Sequence, residues 1–215
     1  MTKPLVIFDF DGVLVDTAEF LKKEFFAGLS ALGYRFLRSP KEAEKLFQEN
    51  IADALIAHGV TPEHLCAVWE RVQQAERRAD IQLAPGIEAM LEELHPLCTM
   101  AVVSVNGVEL IREILGRCGV LRCFTSISGG DEDVAKVRRI AECVQAAGVS
   151  SDRAIAIGDT VGDIGEAREA GVTAVAAVWG LHSEKRLAQA SPDCIVHTPA
   201  EIVDLVKAIA ASGAA

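Results

Sequence analysis

Leu5-Val6-Ile7-Phe8-Asp9-Phe10-Asp11-Gly12 is an apolar run that stops on two carboxylates and a glycine. Four consecutive apolar residues read as a strand covered on both faces, the habit of parallel sheets. Two acids two positions apart at its C-terminal end point the same way while the backbone stays extended. They face the crevice beyond the strand ends, where open α/β sheets bind ligands. Gly12 permits a sharp turn directly afterwards. Like charges this close repel, and both ionise easily once a cation sits between them. Magnesium suits that place, because it takes oxygen ligands: one or two carboxylates, substrate phosphate and water. The alternative is an acidic pair that merely caps a loop.

Outward from this strand, the chain from Pro85 onward alternates β-rich runs with helical patterns. The expected strands are Thr99–Ser104, Thr125–Ser128, Ala154–Ile157, Ala174–Val178 and Cys194–Val196. The expected helices are Val108–Cys118, Ala135–Ala147, Ile164–Ala170, Glu184–Ala190 and Ala200–Ala211. This alternation predicts an α/β fold: a doubly wound parallel-sheet (Rossmann-like) core.

Residues 17–83 differ. They contain no convincing strand, and apolar residues recur at helical spacing in three sets: Phe20-Leu21-Phe25-Leu29-Leu32, Ala43-Leu46-Phe47-Ile51-Leu55 and Leu65-Val68-Trp69-Val72. Pro40 and Pro62 stand near helix starts, Gly33 and Gly59 near helix ends. An α-helical unit is therefore expected as an insertion after the first strand. The core is then 1–16 with 84–215, and the insertion is 17–83. The two connections read as paired hinges that let the insertion close over a ligand.

Half of the 215 residues are apolar and 24% are charged, which is a globular composition. Acidic residues outnumber basic ones 31 to 21, for a net charge of −10. A field of that sign repels nucleic acid and anionic membrane surfaces, and no basic patch is visible to reverse it. No run approaches the ~18 apolar residues of a membrane span, and Leu5–Phe8 is too short for a signal peptide. The six cysteines are scattered without CxxC spacing, as expected of free thiols in a reducing cytoplasm. The histidines form no HxxxH pair, so no zinc site is expected.

Three further segments carry chemistry. Ile155-Ala156-Ile157-Gly158-Asp159-Thr160-Val161-Gly162-Asp163 reads as strand, turn and helix start. It places Asp159 and Asp163 at the same sheet edge as Asp9 and Asp11. Asp163 also fits an ordinary helix N-terminal acid. Met100–Ser104 ends in a hydroxyl, and Asn106-Gly107 opens the next helix. A hydroxyl with free backbone N–H groups there is a phosphate cradle, or Ser104 is a simple cap. Lys136 begins a helix, where a cation is disfavoured. It wants an anion, either phosphate and its binding acids or the adjacent Asp131, Glu132 and Asp133.

Asp-x-Asp-Gly, then Ser, then Lys, then Gly-Asp-x-x-x-Asp, in this order over nearly the whole chain, resembles the haloacid dehalogenase superfamily of phosphotransferases. FDFDGVLVDT, GDTVGDIGEAREAG and Val178-Trp179-Gly180 are most similar to its phosphoglycolate phosphatase-like branch, and the insertion to its helical cap. The resemblance implies an Mg²⁺-dependent phosphatase of a small soluble phosphomonoester, phosphoglycolate or a similar metabolite. Asp9 would be the nucleophile, passing through an aspartyl-phosphate. Asp11 would be general acid and then base. Ser104, with Val105 and Asn106, would bind the phosphoryl group, and Lys136 would hold Asp9 and the phosphoryl charge. Asp159, the Asp9 carboxylate and the Asp11 carbonyl would ligate Mg²⁺, with Asp163 in the outer shell. Two departures from the branch stand out: Val137 follows the lysine where proline is common, and Val105 separates Ser104 from Asn106.

Asp11 argues against a dehalogenase, which has no leaving alcohol to protonate. A sugar-phosphate mutase would keep every motif. A non-catalytic phosphate-binding regulator on this fold would be expected to lose Asp9, Asp11 or Asp159, and all are present. Lys22, Lys23, Arg77 and Arg78 are candidates for gripping an anionic leaving group. The expected partner is a small phosphorylated metabolite, not nucleic acid or membrane, and the protein a monomer or homodimer.

Overall fold

The computed structural model describes residues 3–43, 46–48, 51–131 and 134–212. The chain divides into two compact units, Met1–Asp16 with Gln82–Ala215, and Thr17–Ile81.

The first unit is built on β1 (Leu5–Phe8). All four residues of β1 are buried, as an apolar run without alternation requires in a sheet covered on both faces. Among the described residues five more strands follow: β2 (Thr99–Val103), β3 (Ser126–Ser128), β4 (Ala154–Gly158), β5 (Thr173–Ala177) and β6 (Cys194–Val196). All pairs are parallel, in the order β3-β2-β1-β4-β5-β6. β1 therefore lies between β2 and β4, with Leu5 in register with Thr99 on one side and Ala154 on the other. The strand order reverses at β1, and ligand crevices open at such a switch point.

The helical unit, taken by itself, consists of α1 (Ala18–Ala31), α2 (Pro40–Ala43), α3 (Ile51–Ala57) and α4 (Pro62–Arg78), with a 3₁₀ turn at Leu46–Gln48. α1 packs on α4. Phe25 meets Phe47 edge-on at 5.3 Å and Trp69 at 5.4 Å, so these rings form the unit's core. α4 starts where Thr61 Oγ1 accepts the His64 N–H and Pro62 needs no partner for the N–H it lacks. The periodic run from Ala43 to Leu55 was expected as one helical stretch. It is divided into α2, the 3₁₀ turn and α3, with 44, 45, 49 and 50 outside the described residues.

Beyond this unit come α5 (Ile87–Leu94), α6 (Val108–Arg117), α7 (Lys136–Ala147), α8 (Val161–Glu169), α9 (Glu184–Gln189) and α10 (Pro199–Ser212). Ile140 of α7, Ile164 of α8 and Leu187 of α9 cover the sheet face that presents Leu5, Ile7, Ala101 and Val103. Burying such a side chain stabilises by about 1.5–3 kcal/mol. On β1, Phe8 alternates with Ile7 and meets Phe124 edge-on at 6.1 Å. α5 has no counterpart among the expected helices. It buries Ile87, Met90, Leu91 and Leu94 within a single eight-residue stretch.

The two chain crossings of the first unit pair with each other. Asp16 N–H donates to Gln82 O at 3.0 Å, Ala84 N–H donates to Leu14 O at 3.0 Å, and Val15 bridges Leu83 antiparallel. The second stretch of this compact unit runs from Gln82. All six cysteines are free, Cys66 being exposed, and burial pushes the Cys98 thiol up to about 12. Among the described residues no helix is long and apolar enough to cross a membrane.

Candidate active site

Asp9 continues β1 by one residue, because its N–H donates to Ile157 O of β4 at 2.9 Å. The chain then turns: Leu14 N–H returns to Phe10 O and Gly12 N–H donates to Val15 O, each at 3.0 Å. Asp9 and Asp11 thus stand at the mouth of the switch point with different neighbours.

Asp9 Oδ1 accepts from the Lys136 ammonium at 2.7 Å. The same ammonium donates to Asp163 Oδ1 at 2.5 Å and lies 3.8 Å from Glu166. Lys136 is the first residue of α7, and its side chain is only 9% exposed. Its anions are therefore the acids of β1 and α8. Of the adjacent acids considered from sequence, Asp131 turns away and accepts the Val108 N–H at 3.2 Å, while Glu132 and Asp133 lie outside the described residues.

Asp11 Oδ2 accepts from Asn106 Nδ2 at 2.7 Å, across 95 positions of sequence. Asn106 N–H donates to Ser104 Oγ at 3.2 Å, and both side chains are buried. The segment after β2 thus contacts the acid at the end of β1 directly. The expected cradle of free N–H groups is partly engaged, since Asn106 N–H goes to Ser104 and Val108 N–H to Asp131. Val105 is 49% exposed and offers only its main chain to an anion.

At the end of β4, Asp159 is fully buried. Its Oδ2 accepts the Leu181 N–H at 2.6 Å. It is wedged between Gly12, whose φ is +71°, and Gly180: a Cβ at either would collide with its carboxylate. Asp163 closes a capping box on α8. Its Oδ2 accepts from Thr160 N–H at 3.0 Å and Thr160 Oγ1 at 2.6 Å, and Thr160 Oγ1 accepts the Asp163 N–H in return. The helix-cap reading and the charged-partner reading of Asp163 are both realised, one on each oxygen.

The carboxylate oxygens of Asp9, Asp159 and Asp163 lie within 4.8 Å of one another. Burial pushes the Asp9 carboxyl up to about 7, with Lys136 opposing and Asp163 adding to the rise. Burial, then Asp163 and Asp9, raises Asp159 well above the carboxylate range. Asp163 moves the other way: burial is outweighed by the charge and hydrogen bonds of Lys136 and by Thr160. Lys136 is held protonated, the pull of Asp163, Asp9 and Glu166 exceeding the cost of its burial. Asp159 Oδ1 is buried with no hydrogen-bond partner among the described residues, a costly state for an oxygen carrying charge. An all-oxygen donor set, an orphaned buried carboxylate oxygen and two acids strained by mutual repulsion fit a hard divalent cation.

Three residues here escaped the sequence reading. Glu166 stands one turn beyond Asp163 and completes the ring around Lys136. His182, buried, accepts the Val161 N–H on Nδ1 at 3.0 Å, and its own main-chain N–H donates to Asp159 O at 3.2 Å. It thus ties the N-terminus of α8 to the end of β4. Arg139 is buried one turn beyond Lys136. Trp179, noted for its motif, donates Nε1–H to Val13 O at 3.1 Å and ties the 178–182 segment to the turn after β1. Of the basic residues in the helical unit, Lys22 pairs with Glu19 at 2.8 Å.

The family profile described as haloacid dehalogenase-like hydrolase matches residues 6–177. A phosphoglycolate phosphatase of Synechococcus elongatus is 28% identical over 205 residues, covering 94% of this chain and 96% of that one. A phosphoglycolate phosphatase of Chromobacterium violaceum is 30% identical over 217 residues, covering 94% and 96%. A haloacid dehalogenase-like hydrolase structure from Streptococcus pneumoniae superposes with a TM-score of 0.81 at 23% identity, covering 94% and 98%.

Proposed function

This chain belongs to the haloacid dehalogenase-like hydrolases and is a phosphatase of phosphoric monoesters; from that premise we propose the substrate and the route. The substrate is a small soluble phosphorylated metabolite, phosphoglycolate or one of similar size and charge. The observation that carries the reading is the pair of acids at the end of β1, Asp9 against the Lys136 ammonium and Asp11 against the Asn106 amide.

An Asp9 carboxylate oxygen attacks phosphorus, and the bond from phosphorus to the ester oxygen breaks. Asp11 gives its proton to that departing oxygen. The aspartyl-phosphate so formed splits one hard displacement into two easier ones. Asp11, now a carboxylate, takes a proton from water as the water oxygen attacks phosphorus. The Asp9–phosphorus bond breaks and orthophosphate leaves. Lys136 keeps Asp9 oriented and offsets phosphoryl charge. The Ser104 hydroxyl and the main chain of Val105 and Asn106 bind phosphoryl oxygens. Mg²⁺, held by Asp9, Asp159 and the Asp11 carbonyl, would supply further charge compensation, with Asp163 keeping Lys136 and the acids in place. The helical unit serves as a cap, with residues 17–83 as its bounds and the connections at its two ends as hinges. The enzyme works in the cytoplasm as a monomer or homodimer.

The test is release of orthophosphate from a panel of phosphorylated metabolites by purified protein. Activity is expected to vanish with EDTA, return with Mg²⁺, and be lost in Asp9→Asn. Full activity in Asp9→Asn overturns the route.

A further inference from the structure

Arg139 is the second buried cation of α7, and no motif accounts for it. The residue is 3% exposed. Its Nε donates to Val134 O at 3.1 Å, and its Nη1 donates to Ser104 O at 2.7 Å and to Ser128 O at 3.2 Å. These carbonyls belong to three separate segments: the residue after β2, the last residue of β3, and the approach to α7. Among the described residues none of its hydrogen-bond partners is a carboxylate. Burying a guanidinium is costly unless its donors are satisfied, and here three carbonyls satisfy them.

The carbonyls are not arbitrary ones. β3 is a three-residue edge strand paired only with β2. Ser128 O already accepts the Ser104 N–H at 3.1 Å, and Arg139 adds a second donor to it. The guanidinium thereby clamps both strand ends at the point where Ser104 leaves the sheet. Val134 lies two residues before Lys136, so the same plane of donors fixes the lead-in to Lys136. A fixed planar fork does this where a lysine's single point charge does not. Its charge, neutralised by no ion pair among the described residues, also opposes the surplus of carboxylates around it, and Glu166 lies within its field.

We propose that Arg139 is a positioning residue for phosphoryl binding, one that fixes the Ser104 hydroxyl and the Lys136 ammonium relative to each other through three backbone carbonyls. The inference rests on the phosphatase reading and deepens it.

Arg139→Gln keeps an amide donor at about the position of Nε but loses the charge and the Nη fork that reaches Ser104 O and Ser128 O. In the presence of Mg²⁺, calorimetry should show the Kd for inorganic phosphate rising about tenfold, as the loss of charge-assisted hydrogen bonds predicts. KM for p-nitrophenyl phosphate should rise in parallel, while kcat falls by no more than roughly threefold, a split that partial unfolding cannot produce. Arg139→Lys should recover part of the phosphate affinity. It also carries the test if Arg139→Gln does not fold. An unchanged phosphate Kd and KM in a folded variant overturns the proposal. Absence of ester hydrolysis by the unmodified protein overturns the phosphatase reading instead, and leaves phosphate binding to judge Arg139.

Discussion

The two acidic pairs at the sheet edge are secured in different ways. Asp9 and Asp11 are held by side chains from distant segments, Lys136 and Asn106. Asp159 is held by the Leu181 N–H and by the glycine walls at 12 and 180, and Asp163 by the Thr160 capping box together with the Lys136 ammonium. Side-chain partners keep an acid oriented yet let it change partner during a reaction. Backbone partners and steric walls fix a carboxylate in one place, as suits a group that holds an ion. On the proposed route, Asp9 and Asp11 would make and break bonds while Asp159 holds charge.

This contrast can be broken at graded points. The largest effect is expected from Asp9→Asn, which removes the attacking oxygen and should lower kcat by at least ~10³-fold while leaving a folded protein. A stopped assay of orthophosphate release measures it. Next comes Gly180→Ala, whose Cβ collides with the Asp159 carboxylate. It should raise the Mg²⁺ concentration needed for half-maximal rate by about 10–100-fold with smaller change at saturating metal, and an unmoved Mg²⁺ dependence contradicts the β4 assignment.

Asn106→Ala frees Asp11 from its amide. The loss should be larger for an alkyl phosphate, which needs a proton on leaving, than for p-nitrophenyl phosphate, which does not. A difference of about tenfold between the two substrates is expected, and equal losses remove Asn106 from the acid's support.

The acids also set a pH dependence. The Asp9 and Asp159 carboxyls are raised in the fold, so their contribution to stability is present at low pH and is lost as pH rises through about 7 for Asp9. Melting of the cation-free protein should accordingly give a lower midpoint at about pH 8 than at about pH 5.5, and Mg²⁺ should raise the midpoint more at the higher pH. Asp163 has the opposite sign, its lowered pKa giving stability that persists until strongly acid pH. The smallest effect belongs to Thr160→Val, which loses the capping box: about 1 kcal/mol and a few degrees in Tm, with little change in rate.

Why some of this could be read from the chain and some could not follows from the range of the forces. β1, β2, β4 and β5 announce themselves because strands buried on both faces must be apolar throughout. The acids are visible because they fall directly after those strands. The helix α5 is hidden by its length: eight residues offer only two turns of periodicity after Pro85-Gly86. The single periodic run from Ala43 to Leu55 misleads because apolar spacing survives a 3₁₀ break. Arg139 escapes notice because its partners are backbone carbonyls that the sequence does not mark. The Asn106–Asp11 contact spans 95 positions and depends on β2 lying beside β1. Gly12 is readable as a turn, but its service as a wall for Asp159 requires knowing that β4 is its neighbour.

The central place of β1 carries a consequence for the order in which the protein comes into being. Among the described strands β1 is made before the rest, and its two neighbours, β2 and β4, begin only at Thr99 and Ala154. β1 thus waits until Val103 for its first flank and until Gly158 for its second. Contacts of such sequence separation slow folding, because their loops must close before they are rewarded. Until α8 emerges, Asp9 has neither Asp159 nor Asp163 nearby, so no cation site exists to speak of. In a growing chain, Asp9 therefore lacks these partners until late, and the acidic cluster assembles only once β4 and α8 have been made.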